Sequence, residues 1–308
     1  MTSTVEDRRA ETRGTAAAIG RRARARSAYP YWFYLPAAIV YGVLFIVPTF
    51  ASFYFSLTRW TIFDYKFIGL DNFIQFFQEP ALVKGFTNTI IYAVVTSGLK
   101  VVLGLLLAVL LTSRIVARGY LRSVVFFPVL VSVIGVGILF KVLMDPFDGP
   151  INEGLAAIGI TGPGWYTDPS LALVSVAIVD IWAGVGLATL IYIAGMVAIP
   201  QEYFEASKVD GASAWSTFRH ITLPLLRPAT VTVVLLSLIG GLRRFDLIWT
   251  MTGGGPGFSS DVLASVVYKQ YQAGFFGLST AGNVVLFVVV AAIIFPLSWW
   301  LNRKEDER

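Results

Sequence analysis

Long uncharged stretches alternate with short polar ones along this chain, and the alternation predicts an all-α integral membrane protein with six spanning helices. Residues 33–57 form a 25-residue run without a charge, where ~20 residues suffice to cross a bilayer. A cleavable leader would have an apolar core of only about 7–15 residues, so this run is read as a retained helix. Comparable runs cover residues 86–111, 124–144, 171–199 and 281–301, interrupted only by Lys100, Lys141 and Asp180. A fifth span starts near Pro228 but is uncharged for just fifteen residues before Arg243 and Arg244. Two courses fit it: a helix that continues past the arginines through residues 245–251, which is favoured, or a broken helix that ends at Gly240-Gly241. On the continuous helix, at ~1.5 Å per residue, Arg243, Arg244 and Asp246 fall about 25 Å from Pro228, near the outer interface. There arginine can snorkel to the headgroups or meet a solute at a pathway mouth.

The polar stretch between spans four and five, residues 200–227, breaks the pattern most sharply. It carries Glu205, Lys208, Asp210, Arg219 and His220, so it cannot lie in hydrocarbon. Gly211 can take the left-handed conformation that ends one helix and starts another. Trp215, Phe218 and Ile221 then recur every three residues, which gives a second short helix an apolar stripe. Pro224, without an amide proton, is expected to stop it. A bent pair of short helices at the membrane surface follows.

Basic residues orient the bundle. With six spans and both termini on the cytoplasmic side, sixteen lysines and arginines fall inside and six outside, as the positive-inside rule requires. Residues 1–29, with seven arginines and no apolar periodicity, read as a disordered cytoplasmic tail. Residues 30–302 hold the bundle, and residues 303–308 are a second short tail. On the outer side, Asp71 is placed to cap a helix at 72–78 and Pro150 to open one toward Ala157. The glycine run 253–255 makes an irregular turn.

Composition agrees. Hydrophobic residues make up 56% of the chain and charged ones 14%, too little charge for the surface of a soluble domain. The formal charge of +5 does not point to nucleic acid, because the arginines flank apolar segments and form no basic patch. The absence of cysteine removes disulfides, thiolate metal sites and thiol nucleophiles, and the one histidine, His220, cannot form a metal cluster alone. No glycine-rich segment ends in Gly-Lys-Ser or Gly-Lys-Thr, so the chain has no phosphate loop.

Polar residues inside spans are costly and therefore functional candidates. Asp180 and Trp182 pair an acid with an aromatic ring, a combination suited to a sugar; the competing reading is an ion pair of Asp180 with Lys100. Asn283 serves either the pathway or helix–helix contact.

The pattern Glu205-Ala206-Ser207, then Asp210-Gly211-Ala212, then Ile221-x-Leu223-Pro224 resembles the EAA loop of binding-protein-dependent ABC importer permeases. Ser207 stands where that family has a second alanine. Phe67 to Phe73 (FIGLDNF), Arg122 with Phe126-Phe127-Pro128, and Phe245-Asp246-Leu247-Ile248 followed by Gly253-Gly254-Gly255-Pro256 resemble the carbohydrate type, in particular the first permease of the maltose and glycerol-phosphate systems. The resemblance implies a prokaryotic inner-membrane, multi-pass subunit that works by alternating access. It implies a second permease, two ATPase subunits carrying ATP and Mg, an extracytoplasmic solute-binding protein and surrounding membrane lipid as partners, with no cofactor in this chain. Glu205, Ala206, Ser207, Asp210, Gly211, Ala212, Leu223 and Pro224 would then couple to the ATPase, and Asp180, Trp182, Arg243, Arg244, Asp246 and Asn283 would line the pathway. Within transport, a glycerol phosphate or other polyol attracted by Arg243 and Arg244 is the alternative solute. An ion-driven secondary transporter would show repeated broken helices in two halves. An intramembrane enzyme would need a serine–histidine, paired-aspartate or metal constellation at membrane depth, whereas Asp180 has no second in-span acid and His220 lies in a loop.

Overall fold

The computed structural model describes residues 31–303 apart from Arg114, and both predicted tails lie outside this range except Arg303, which ends the last helix. The chain divides into a unit ending at Ala51 and a unit from Ser52 onward. Helix α1, Trp32–Ser56, has the length and hydropathy of a span. It widens into a π segment at Gly42–Ile46, where the Val47 amide reaches back to the Gly42 carbonyl. Pro48 follows directly, and the wider turn suits a residue that lacks an amide proton and crowds the preceding turn.

In the second unit, a ribbon of β1, Thr58–Trp60, and β2, Tyr65–Phe67, pairs antiparallel with Thr58 opposite Phe67. This small sheet departs from the all-α expectation. It is tied down by Asn72, whose side-chain amide donates to the Ser56 and Thr58 carbonyls at 2.8 Å. Asn72 lies on α2, Asp71–Gln78, where Asp71 is the first helical residue and makes no side-chain cap. The expected capping role is therefore corrected; an acid in the first turn still favours the helix dipole.

Helix α3, Pro80–Thr112, and helix α7, Ala172–Val197, are both long enough to span, and they pack tightly. A Cβ built at Gly104 would lie 2.7 Å from the Ala188 methyl carbon and 3.2 Å from backbone, so only glycine allows this approach. Gly104→Leu is expected to force the two helices apart. It should lower the melting temperature of the purified protein by several degrees, given the roughly 1–3 kcal/mol cost of overpacking; an unchanged melting curve would contradict this packing.

Two predicted spans are bent. Helix α4, Arg118–Leu130, and helix α5, Val133–Leu143, meet at 101°, so residues 124–144 are not one straight span. Pro128 tightens the end of α4 into a 3-10 turn, and Val131 is extended (φ −88°, ψ 140°). After α6, Pro150–Ala157, which starts at Pro150 as expected, and α7 come α8, Gln201–Val209, and α9, Ala214–Leu225. Helix α10, Arg227–Leu242, leaves α9 at 65°. Pro224 does not stop its helix: a second π segment, Phe218–Thr222, precedes it, and the helix runs on to Leu225. The bend instead sits at Leu226, where Pro228 opens α10. The favoured continuous helix does not form, and the broken-helix alternative holds to within one residue. The helix passes through Gly240-Gly241, ends at Leu242, and breaks across Arg243–Phe245 before α11, Asp246–Met251. Helix α12, Leu263–Gln272, and the long α13, Phe276–Arg303, complete the fold. Four helices can span a membrane by themselves, and six spans result if each bent pair counts as one.

The loop before α7 is closely bonded. Asp145 accepts from the Tyr166 hydroxyl at 2.7 Å and from the Phe147 and Asp148 amides at 2.9 and 3.2 Å. These bonds, Tyr166 first, hold the Asp145 carboxyl below its ordinary range. Burial, then the bond to Asp145, pushes Tyr166 up to about 12. A depressed carboxyl stabilises the fold above its unfolded pKa and loses that contribution as pH falls through the folded value; a raised phenol stabilises below about 10 and loses it toward about 12. Melting curves of the purified protein should show both losses in the wild type and weaker ones in Tyr166→Phe.

Candidate functional site

The polar hairpin forms as the sequence implies. Helix α8 ends in a Schellman motif: the Ala212 amide donates to the Ser207 carbonyl at 2.9 Å and the Gly211 amide to the Lys208 carbonyl at 3.1 Å. Gly211 has φ +70°, the left-handed conformation this motif requires. Ser213 then caps α9 by accepting from the Ser216 amide at 3.2 Å. Ser207, the one buried residue of α8, accepts from the Thr217 hydroxyl on α9 at 3.3 Å and donates to the Phe204 carbonyl at 2.9 Å. The departure from alanine at position 207 thus supplies a bond that pins the two helices together, and Thr217 is a partner that the sequence reading missed.

Glu205, Ala206, Asp210, Gly211 and Ala212 are all exposed, and none of the carboxylates among them forms an ion pair within the described residues. Trp215 is 68% exposed and stacks obliquely on Phe218 at 5.7 Å. Phe218 and Ile221 are half-buried, Leu223 is exposed and Pro224 is half-buried. His220 bonds only locally, to Ser216. The turn thus presents carboxylates without ion-pair partners among the described residues, and an exposed indole, on one surface.

A second constellation lies inside the bundle. Asp180 on α7 is 2% exposed; one carboxylate oxygen binds the Lys100 ammonium of α3 at 2.7 Å and the other binds the Arg244 guanidinium at 2.7 Å. The ion-pair reading of Asp180 therefore holds, and the reading of a free acid beside Trp182 does not. Two residues apart on a helix, these side chains take different faces. Trp182 packs edge-on against Phe140 of α5 at 5.0 Å and stays 39% exposed. Gly184 makes room for the triad: a Cβ there would lie 2.8 Å from the Lys100 Cε.

Arg244, expected at the headgroups, instead follows the break after α10 and pairs with the buried Asp180. Arg243 and Asp246 remain exposed. Phe245 stacks on Trp249 at 5.6 Å and meets Tyr268 edge-on at 5.2 Å. Asn283 is exposed on α13 and, with Phe245, Tyr268 and Tyr271, lines a cavity of about 260 Å³. The structure thus brings Asp180 and Arg244 together with Lys100, and leaves Trp182 and Asn283 in separate surroundings.

The turn 252–262 is fastened to the N-terminal part of α3. The Asn88 amide donates to the Ser259 and Asp261 carbonyls at 2.8 Å, and Lys269 pairs with the buried Asp261 at 2.7 Å. No group of three or more metal-ligating side chains occurs among the described residues.

The family model for binding-protein-dependent transport system inner membrane components matches residues 100–304. The chain belongs to this family. The match includes Lys100, the triad, the hairpin and the long last helix. Among relatives, the trehalose/maltose transport system permease protein MalF of Thermococcus litoralis is 32% identical, with 84% of this chain and 89% of the relative covered. The lactose transport system permease protein LacF of Rhizobium radiobacter is 31% identical over 88% of this chain and 93% of its own. A bacterial alginate ABC transporter, solved in complex with alginate pentasaccharide-bound periplasmic protein, contains a chain of the same fold, with TM-score 0.79, 22% identity, and 89% of this chain and 93% of that one covered. As a transport-system permease the chain is a multi-pass membrane protein and not an enzyme.

Proposed function

We propose that this permease is one half of the membrane channel of an ATP-driven importer, that it translocates a sugar or oligosaccharide by alternating access, and that it sits in a prokaryotic inner membrane. The observation that carries the reading is the Gly211 hairpin: a rigid, exposed turn with unpaired Glu205 and Asp210, joined through a single residue, Leu226, to span helix α10. Force applied to such a turn passes into the bundle instead of bending a loop. The chain has no phosphate loop, so ATP and Mg are assigned to two separate ATPase subunits. Glu205, Ala206, Ser207, Asp210, Gly211, Ala212, Leu223 and Pro224 form or support the docking surface. A second permease completes the pathway and an extracytoplasmic binding protein delivers solute.

Sugar as the solute is favoured by the relatives that transport trehalose, maltose and lactose. Trp182, Arg243, Arg244, Asp246 and Asn283 are the candidate pathway residues. Asp180, with both oxygens engaged, orients Arg244 and is not a free acceptor. Arg244 pairs with Asp180 through one guanidinium nitrogen, Nη2, and a guanidinium has five N–H donors, so it is able to donate further to a hydroxylated solute. The reading is tested by purifying the complete transporter, reconstituting it in vesicles and following uptake of labelled oligosaccharides against a glycerol phosphate. Uptake of an oligosaccharide that depends on ATP and on the binding protein is expected. Preference for the phosphorylated polyol, or transport without ATP, would overturn it.

A further inference from the structure

A cavity of about 620 Å³ lies between the hairpin and the bundle, at the ends of α3 and α7. Val109 and Met196 wall it on the bundle side, and Phe204 and Phe218 on the hairpin side. Three of the four hydroxyls around it are engaged. Thr112 donates to the Ala108 carbonyl at 2.8 Å, Ser207 to the Phe204 carbonyl at 2.9 Å, and Thr217 to Ser207 at 3.3 Å. Such walls offer little to a nucleotide or free solute and much to a hydrocarbon chain. Lys208, at the rim, is exposed and is the one charged residue of the lining. Helices α3 and α7 end at Thr112 and Val197, so the cavity stands where spans give way to headgroups. There an apolar slot beside a lysine matches an amphiphile with an anionic head.

We propose that this cavity is a binding site for an anionic phospholipid, its acyl chain between Met196 and Phe218 and its phosphate on Lys208. A chain held there touches the bundle and the hairpin at once and stiffens the junction between them. Bound lipid therefore raises the amount of solute moved per ATP hydrolysed. This consequence rests on the proposed role of the hairpin; the binding itself does not.

The complete transporter, placed in phosphatidylcholine nanodiscs containing a phosphatidylglycerol probe with a photoreactive group at its chain end, tests the site. Label is expected on residues of the cavity wall. Met196→Trp, which fills the slot, should abolish it, and Lys208→Gln should weaken competition by unlabelled phosphatidylglycerol about fivefold. Arg303→Gln, a basic residue outside the cavity, should leave it unchanged. Label that survives Met196→Trp, or equal labelling by a phosphatidylcholine probe, would overturn the proposal. The label is read at Val109 and Met196, bundle-side residues of the cavity that the proposed docking surface does not use, so the failure of this site and the failure of the hairpin's role are read separately. If omitting phosphatidylglycerol leaves the transport-to-hydrolysis ratio unchanged, the stiffening role is wrong.

Discussion

Gly211→Val is expected to lower solute uptake about tenfold while the protein still reaches the membrane and ATP hydrolysis continues. The position has open space, since a Cβ there would meet nothing within 4 Å. The penalty is therefore conformational and not steric crowding by neighbours. At φ +70° an L-residue costs roughly 1–2 kcal/mol, and a β-branched one suffers most. That strain is enough to shift the hairpin about tenfold toward other conformations. Asparagine and aspartate enter the left-handed region more readily, so Gly211→Asn should be the milder change. Gly211→Asp should fall between these two in strain and add charge to the docking face. Equal uptake in all three variants would show that the left-handed turn is dispensable.

The second large effect concerns the buried triad, and it separates two substitutions that look alike. Asp180→Asn leaves Lys100 and Arg244 facing each other in the bundle without a counter-charge. Losing one partner of a buried ion pair costs about 3–5 kcal/mol, so this variant should melt far below the wild type or fail to accumulate. Lys100→Met removes one cation and leaves the Asp180–Arg244 pair electrically balanced, so it should be tolerated much better. Thermal unfolding of the two purified variants provides the comparison. If Lys100→Met proves as damaging as Asp180→Asn, charge balance is not what the triad maintains.

Much of this architecture was readable beforehand because membrane spans obey a simple length rule and because Gly211 has a local, sequence-encoded role. Pro150 opening α6 belongs to the same class. What escaped depended on residues far apart in the chain. Gly240-Gly241 signalled the break, but nothing near Arg244 shows that its guanidinium reaches Asp180; that outcome needs the gap made by Gly184 and the lysine of α3. Pro224 was misjudged for a different reason. A proline stops a regular helix, but the π segment just ahead of it absorbs the clash, and the same device recurs before Pro48. The bend at Val131 was hidden because the end of α4, residues 124–130, and α5 are both apolar, so hydropathy runs unbroken through a 101° turn. The β1–β2 ribbon was missed because its three-residue strands are too short to show alternation.

The chain contains no cysteine, so a single cysteine at Ala206, exposed on α8, gives a clean probe of the hairpin's partner. In the assembled transporter, Ala206→Cys should cross-link through a short bifunctional reagent to the nucleotide-hydrolysing subunit, and a cysteine at Ile62 on the β1–β2 turn should not. Cross-linking of Ile62→Cys alone, or no ATPase adduct from Ala206→Cys in an actively transporting complex, would contradict the assignment of this hairpin as the handle that the motor moves.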